Sequence, residues 1–155
     1  MSDLTNTKPE LGLWPSRDLL PWPSEESPFW TGGRDGVLNL QRCNACGHWL
    51  YPLGVVCPSC WSTDLSFQPV SCRGHVHSFT VNHQPWSSTL PVPYVLAAVH
   101  LDEQDGLRVI TNIVDCDIAD VAVGMRVRVV FEHAGPDTWL PLFAPSIDPD
   151  EDNGA

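Results

Sequence analysis

A mainly β fold is predicted for this chain: short N-terminal helices, then a metal-binding ribbon, then a small closed barrel of five strands. Three observations predict it. Two Cys-x2-Cys pairs, Cys43/Cys46 and Cys57/Cys60, stand ten residues apart. Prolines at positions 15, 21 and 23 forbid a long helix near the start. From residue 66 to residue 145 the apolar residues fall into short runs of strand length between turn-forming residues.

The cysteine pairs carry the clearest chemistry. Two such turns are the knuckles of a zinc ribbon. Zinc takes four ligands in a tetrahedron, and each knuckle offers two thiolates from one side. The segment 47–56 suits a short hairpin that returns the second knuckle to the first. Free thiols or two local disulfides are the competing reading, but redox Cys-x-x-Cys motifs usually come as one pair at a helix start. Four thiolates leave no open coordination position, so the expected zinc is structural. A ribbon of about 30 residues needs it, because so small a unit buries too little core alone.

Composition narrows the partners. At 155 residues the chain is one medium domain or two small ones. Lys plus Arg number 8 against 19 Asp plus Glu, a formal net charge of −11. Nucleic-acid binders present a basic patch or stripe, whereas here no Lys follows Lys8 and the arginines are scattered along the sequence. Nucleic acid is therefore not the expected partner. Nothing approaches 18 apolar residues in a row, and the N-terminus lacks a charged-then-apolar export pattern. Reduced cysteines without an export signal predict a cytoplasmic protein with no membrane segment.

In chain order, residues 1–13 read as a polar lead-in. Trp14, Trp22 and Trp30 are too many large apolar groups for a solvated tail, and two readings stand: they pack on their own domain, or they fill a partner's groove. Ser24 can cap a helix start with Glu25 and Glu26 behind it, and Ser27 with Pro28 is a second start. The helix runs through Phe29 and Trp30 and breaks near Gly32-Gly33 or Gly36. Residues 37–42 alternate as a strand into the first knuckle. Strands follow at 75–82, 94–101, 107–114, 126–132 and 138–143, with a hairpin turn at 102–106 and a longer link at 115–124. Five such strands fit a closed barrel of the OB type. The divisions are 1–36, partly helical; 37–65, ribbon; 66–145, barrel; and 146–155, an acidic tail expected to be disordered.

A search for catalytic groups finds little. There is no Gly-x-Ser-x-Gly elbow and no phosphate-binding glycine loop. His75 and His77 read as one face of a strand with Phe79 and Val81, without a third metal ligand, and so as exposed or partner-facing. His83 and His100 read as hydrogen-bonded structural residues. Asp102, Glu103 and Asp105 read as solvated turn charges. Cys116 lies between Asp115 and Asp117, which oppose a thiolate.

The phrases Pro28-Phe29-Trp30, Leu38-Asn39-Leu40-Gln41-Arg42-Cys43-x2-Cys46-Gly47, Tyr51-Pro52, Cys57-Pro58-x-Cys60 and Gly74-x-Val76-x-Ser78-Phe79-Thr80-Val81 occur in that order. They are followed by Pro93-Tyr94-Val95, Thr111-Asn112-Ile113-Val114, Gly124-Met125-x-Val127 and Phe131-Glu132. Together they resemble the zinc-ribbon/OB-fold proteins that accompany thiolase-like enzymes, over residues 24–143. Cys72 departs from the pattern, which leads one to expect a small residue such as Gly there; its thiol reads as buried. The resemblance implies a rubredoxin-like ribbon and an acyl-CoA-associated OB barrel. It also implies a partner that is a thiolase-like or sterol-carrier-type thiolase homologue, in assemblies that make or break carbon–carbon bonds in CoA thioesters, including aldol cleavage of steroid side chains. The partner would supply the catalytic residues, and analogy suggests a two-plus-two heterotetramer.

On this reading Trp14, Trp22, Phe29 and Trp30 bind the partner, within a docking segment 14–36 joined by Trp49 and Tyr51. CoA phosphates call for Arg or Lys, and the candidates are Arg34, Arg42, Arg73, Arg108, Arg126 and Arg128. Arg73 and Arg108 are carried forward as CoA contacts, at a shared site where the partner supplies most of the positive charge. The alternatives are an independent acyl-CoA-binding protein, or a nucleic-acid binder, which would need stacking platforms and a basic groove.

Overall fold

The chain opens with a helical segment too short to hold itself together. In this computed structural model, residues 21–88 and 90–146 are described; Trp14 and the acidic tail from residue 147 lie outside them. Ser24–Glu26 forms a 3-10 turn, α1 spans Ser27–Thr31, and Gly32–Asp35 forms a second 3-10 turn. Pro28 is tolerated because the first helical N–H groups need no intrahelical acceptor. Gly36 ends the run at φ +70°, where a side chain would be strained.

Packing holds this segment in place. Phe29 is 4% exposed, and Asn39 Nδ2 donates to the Pro28 carbonyl at 3.1 Å. A Cβ on Gly33 would lie 2.3 Å from Trp139 Cβ and 2.6 Å from the Phe131 ring. The expectation for Phe29 is therefore corrected: it belongs to the chain's own core, and 27–35 is no free docking arm. Trp22 and Trp30 are half-buried, their indole N–H groups donating to Thr138 Oγ1 at 3.1 Å and to Glu26 Oε2 at 3.0 Å.

Next comes the ribbon, with β1 (Asn39–Cys43), β2 (Trp49–Leu50) and β3 (Leu65–Pro69) in the order β2-β1-β3, both pairs antiparallel. Most of β3 falls in the stretch expected to belong to the barrel. Its pairing from Asn39↔Pro69 to Cys43↔Leu65 puts it in the ribbon sheet instead.

The barrel comprises β4 (Arg73–Asn82), β5 (Tyr94–Leu101), β6 (Arg108–Ile113), β7 (Arg126–Gly135) and β8 (Thr138–Pro145), closed in the order β4-β5-β6-β8-β7. This is the expected five-stranded OB barrel. Val95, Ala97, Val99 and Leu101 alternate inward along β5, as a sheet with one buried face requires. β6 and β8 form the parallel pair and meet at a single register position, Ile113↔Phe143.

One irregularity changes the reading of β4. Its pairing with β5 slips between Val76 and Ser78, so His77 is the extra residue of a bulge. A bulge exchanges the faces of everything beyond it. Val76 is fully buried, and Phe79 and Val81 also pack on the core, whereas His75 faces outward and His77 is exposed. The expected single face of His75, His77, Phe79 and Val81 does not exist. Just before β4, Cys72 adopts φ +65°, a conformation that suits glycine, and burial pushes its half-covered thiol up.

Ribbon and barrel share one core. Phe29, Leu38, Leu40 and Trp49 join Val76, Val99, Val127 and Phe143 in a single cluster. The turn at 102–106 clamps the two parts together: Trp49 N–H donates to Gln104 Oε1 at 2.8 Å, and Gln104 Nε2 donates to the Trp49 carbonyl at 3.1 Å. Two turn residues expected to be solvated charges are structural. Asp102 takes both prongs of Arg126 at 2.9 and 2.6 Å, and the Ser71 N–H donates to the Glu103 carboxylate. Among the described residues no helix is long and apolar enough to cross a membrane.

Gly33→Ala should destabilise the protein by about 1–3 kcal/mol, because the added methyl group meets Trp139 Cβ and the Phe131 ring rather than a flexible chain end. Urea unfolding checks this. Unchanged stability would mean that the helical turn is not seated on the barrel.

Candidate metal centre and outer barrel face

The two knuckles are the same turn built twice. Cys43 N–H donates to the His48 carbonyl at 2.8 Å, and Gly47 N–H returns to the Cys43 carbonyl at 2.8 Å. In the second, Cys57 N–H donates to the Ser62 carbonyl at 2.8 Å and Trp61 N–H to the Cys57 carbonyl at 2.9 Å. Each turn needs a positive φ after its second cysteine: Gly47 adopts +78° and Trp61 +64°. Glycine does this freely, and Trp61 does it under strain.

These turns bring Cys43, Cys46, Cys57 and Cys60 together, their sulfurs all within 4.8 Å of one another. Cys43–Cys60 and Cys46–Cys57 are each 3.6 Å apart. A tetrahedral zinc with Zn–S bonds of about 2.3 Å sets its sulfurs about 3.8 Å apart, so the four thiols fit it. Cys43 and Cys57 are buried while Cys46 and Cys60 face outward. The Cys46 backbone N–H, foremost, lowers the Cys43 thiol to about 7. Arg42 braces the first knuckle: Nε donates to the Gly47 carbonyl at 2.9 Å, and its guanidinium lies 5.0 Å from the centre of the Trp49 ring. With all four positions taken by sulfur, the metal's contribution is structural.

The other titratable residues divide into fixed and free. Gly106 N–H donates to His100 Nε2 at 3.0 Å and His100 Nδ1 lies 3.4 Å from His75 Nε2, so His100 is the hydrogen-bonded structural residue expected. Burial, then His100 and Arg126, hold His75 below its ordinary value. Burial comes first in raising Cys116, followed by Asp120 and then by the expected neighbours Asp115 and Asp117. Arg34 pairs with Asp137 and lies 5.2 Å from the Trp139 ring centre. Arg73, Arg108 and Arg128 are exposed, with no side-chain partner among the described residues.

A cleft escaped the sequence reading. Over the short seam of β6 and β8, where Thr111 Oγ1 donates to the Pro141 carbonyl at 2.8 Å, lies an opening of about 290 Å³, bounded by α1 and the 51–53 turn. Trp30, Tyr51, Ile110, Leu140 and Leu142 are among its walls, with Glu26 at the edge. Burial and then the Glu26 charge raise the Tyr51 phenol. Its walls come from four separate stretches; the sole sequence signal was an apolar Ile110 at an outward strand position.

With this geometry in hand, comparison with known proteins is specific. Residues 30–66 match the rubredoxin-like zinc ribbon domain of ChsH2, and residues 67–132 match the C-terminal OB-fold domain of ChsH2. A probable enoyl-CoA hydratase alpha subunit from Thermomonospora curvata is 34% identical over 86% of this chain, which spans only 42% of that relative's length. A DUF35 domain-containing scaffold protein from Methanocaldococcus jannaschii is 36% identical, over 62% of this chain and 68% of its own. Among solved structures, a chain of the Ltp2-ChsH2(DUF35) aldolase superposes with a TM-score of 0.74 at 31% identity, covering 83% of this chain and 100% of that one.

One zinc per chain is expected by metal analysis. Cys57→Ser should lose it and unfold the ribbon at a lower temperature, since structural zinc binding is also folding free energy. A well-folded, metal-free native protein would contradict this.

Proposed function

Since the chain belongs to the ChsH2 (DUF35) family of zinc-ribbon/OB-fold proteins, we propose that it is a non-catalytic subunit of a thiolase-like enzyme acting on CoA thioesters. The observation that supports this most is the likeness to the DUF35 chain of an aldolase, which this chain covers from end to end. The chemistry agrees. Among the described residues the cysteine cluster is the one group placed to hold a metal, and sulfur closes it; His75 and His100 bond to each other across β4 and β5, and Asp102 holds Arg126 of β7.

In this reading the partner carries the reacting groups, and the chain stabilises it and borders its acyl-CoA site. The assembly is a two-plus-two heterotetramer in the cytoplasm, where thiolate ligands stay reduced. Aldol cleavage of a steroid side chain is the reaction this favours. The hydratase likeness supports a second reading of the reaction, addition of water to an unsaturated CoA thioester, with the same subunit role. A net charge of −11 disfavours nucleic acid as the partner.

The docking surface is the aromatic N-terminal side, as revised by the packing of Phe29. Trp14, Trp22 and Trp30 remain the partner-binding candidates, beside Tyr51 at the cleft. Removing residues 1–36 would strip Phe29 from the core, so point substitutions are the cleaner probe.

Co-expressed with a thiolase-like subunit, the chain should co-purify with it, and the complex alone should turn over CoA thioesters. Replacing Trp14, Trp22 and Trp30 together by Ala should leave zinc content intact and weaken capture by about 2 kcal/mol or more, the scale of an aromatic hot spot. Turnover by the isolated zinc-loaded chain, or capture unaffected by the triple substitution, would refute the reading or its interface respectively.

A further inference from the structure

The turn that clamps ribbon to barrel is itself tied to a pair of histidines on the outer barrel wall. His75 of β4 stands opposite His100 of β5. Their rings meet edge to face with centroids 4.9 Å apart, and His75 Nε2 lies 3.4 Å from His100 Nδ1. On the far side of the His100 ring, Nε2 lies 3.0 Å from the Gly106 amide nitrogen and 3.1 Å from the Gln104 carbonyl oxygen. Gln104 is the clamp: its side-chain amide accepts the Trp49 N–H and donates to the Trp49 carbonyl. A path of hydrogen bonds and one short turn thus runs from an outward-facing histidine to the strand that leaves the first knuckle.

The backbone fixes where the ring protons sit. Gly106 N–H donates to His100 Nε2, so that nitrogen is the acceptor and the His100 proton is on Nδ1. Nδ1–H then donates to His75 Nε2, which leaves the His75 proton on its own Nδ1. The pattern needs both rings neutral. A proton added to His75 lands on Nε2 and meets the His100 N–H. His100 makes room only by moving its own proton to Nε2, where it turns toward the Gln104 carbonyl and displaces the Gly106 N–H. Either way a hydrogen bond that holds the turn is lost.

The surroundings oppose a cation at His75. Arg126 of β7 stands opposite it, with Arg73 and His77 on its own strand, Arg108 beyond His100 on β6, and Arg128 on β7. The carboxylates of the turn are engaged elsewhere. Asp102 holds both prongs of Arg126, Glu103 accepts the Ser71 N–H, and Asp105 lies 3.6 Å from His100 Nε2. Burial, then His100 and Arg126, hold His75 below its ordinary value of 6.5. A histidine lowered in this way stabilises the fold in its neutral form. The bonded arrangement is therefore complete above pH 6.5 and is given up as the pH falls below it.

We propose that His75 and His100 form a proton-sensitive latch: a proton taken up at His75 reverses the hydrogen bonds of the 102–106 turn and loosens the Gln104 clamp between barrel and ribbon. The effect falls on Trp49 and, two residues on, Tyr51. Acid at the outer wall of β4 is thereby felt on the aromatic side of the molecule. The device lies within this chain alone and stands whether or not the partner reading holds.

The test uses the isolated, zinc-loaded chain at about pH 7.5 and about pH 5.5, either side of the histidine range. At the upper pH, nitrogen-15 spectra of the imidazoles should place the His100 proton on Nδ1. Amide hydrogen exchange, corrected for its intrinsic pH dependence, should show protection of Trp49 and Gly106 falling about fivefold or more at the lower pH, with zinc still bound; that is the loss of one net hydrogen bond. His75→Gln keeps an acceptor for His100 Nδ1–H but cannot take the proton, so its protection should stay level. A His100 proton on Nε2 at the upper pH would overturn the proposal in the native chain, with no substitution needed. So would protection that is the same at both pH values, a fall that His75→Gln reproduces, or a fall that appears only as zinc leaves.

Discussion

Four thiols within 4.8 Å of one another are the constraint on which the rest depends. Ionised together without a cation they would repel strongly, and protonated they would give the ribbon little to hold it. A zinc ion at their centre resolves both problems and fixes the knuckles. The consequences reach well beyond the ribbon. β1 leads out of the barrel's core into the first knuckle with Leu38 and Leu40 fully buried, and β2 leaves the knuckle with Trp49 packed in the same cluster. Immediately after β2 comes Tyr51, which contacts the Phe29 ring at a centroid distance of 6.0 Å and walls the cleft. The metal therefore supports the recess between β6 and β8, although it takes no part in it.

The barrel contributes the second constraint, closure. Closing five strands forces β4 beside both β5 and β7, and Gly74 makes the approach possible, since a Cβ there would lie 2.3 Å from the His100 carbonyl oxygen. The bulge at His77 then turns the far half of β4 so that Phe79 and Val81 fill the interior, while the near half keeps Arg73 and His75 outside. Closure also leaves β6 and β8 with a short parallel seam, and the opening beside α1 lies over it.

What was legible in the sequence was local. The knuckles could be read because Cys-x2-Cys is a turn whose ligands lie within a few residues, and the OB strands because alternation repeats every second residue. The special backbone at Cys72 was also visible, as a departure from an expected small residue, and its φ of +65° supplies the reason. What was not legible depended on pairing. A bulge leaves no mark in composition, so His77 seemed to share a face with His75. β3 falls outside every strand that alternation marks, and its pairing with β1 assigns it to the ribbon. Phe29 lies in a segment too short to be a core, and it became core because Gly32 and Gly33 let the chain lie flat against β1 and the barrel. The charge count misled in the same manner: arginines distant along the chain become neighbours through the register of β4 to β7.

This last point bears on the field around an acidic chain. A body of net charge −11 repels anions over most of its surface, and the repulsion is felt to about a Debye length, roughly 8 Å at physiological salt. Arg73, Arg108 and Arg128 stand exposed on one face of the barrel with no side-chain partner among the described residues, so that face opposes an anion less than the charge count implies.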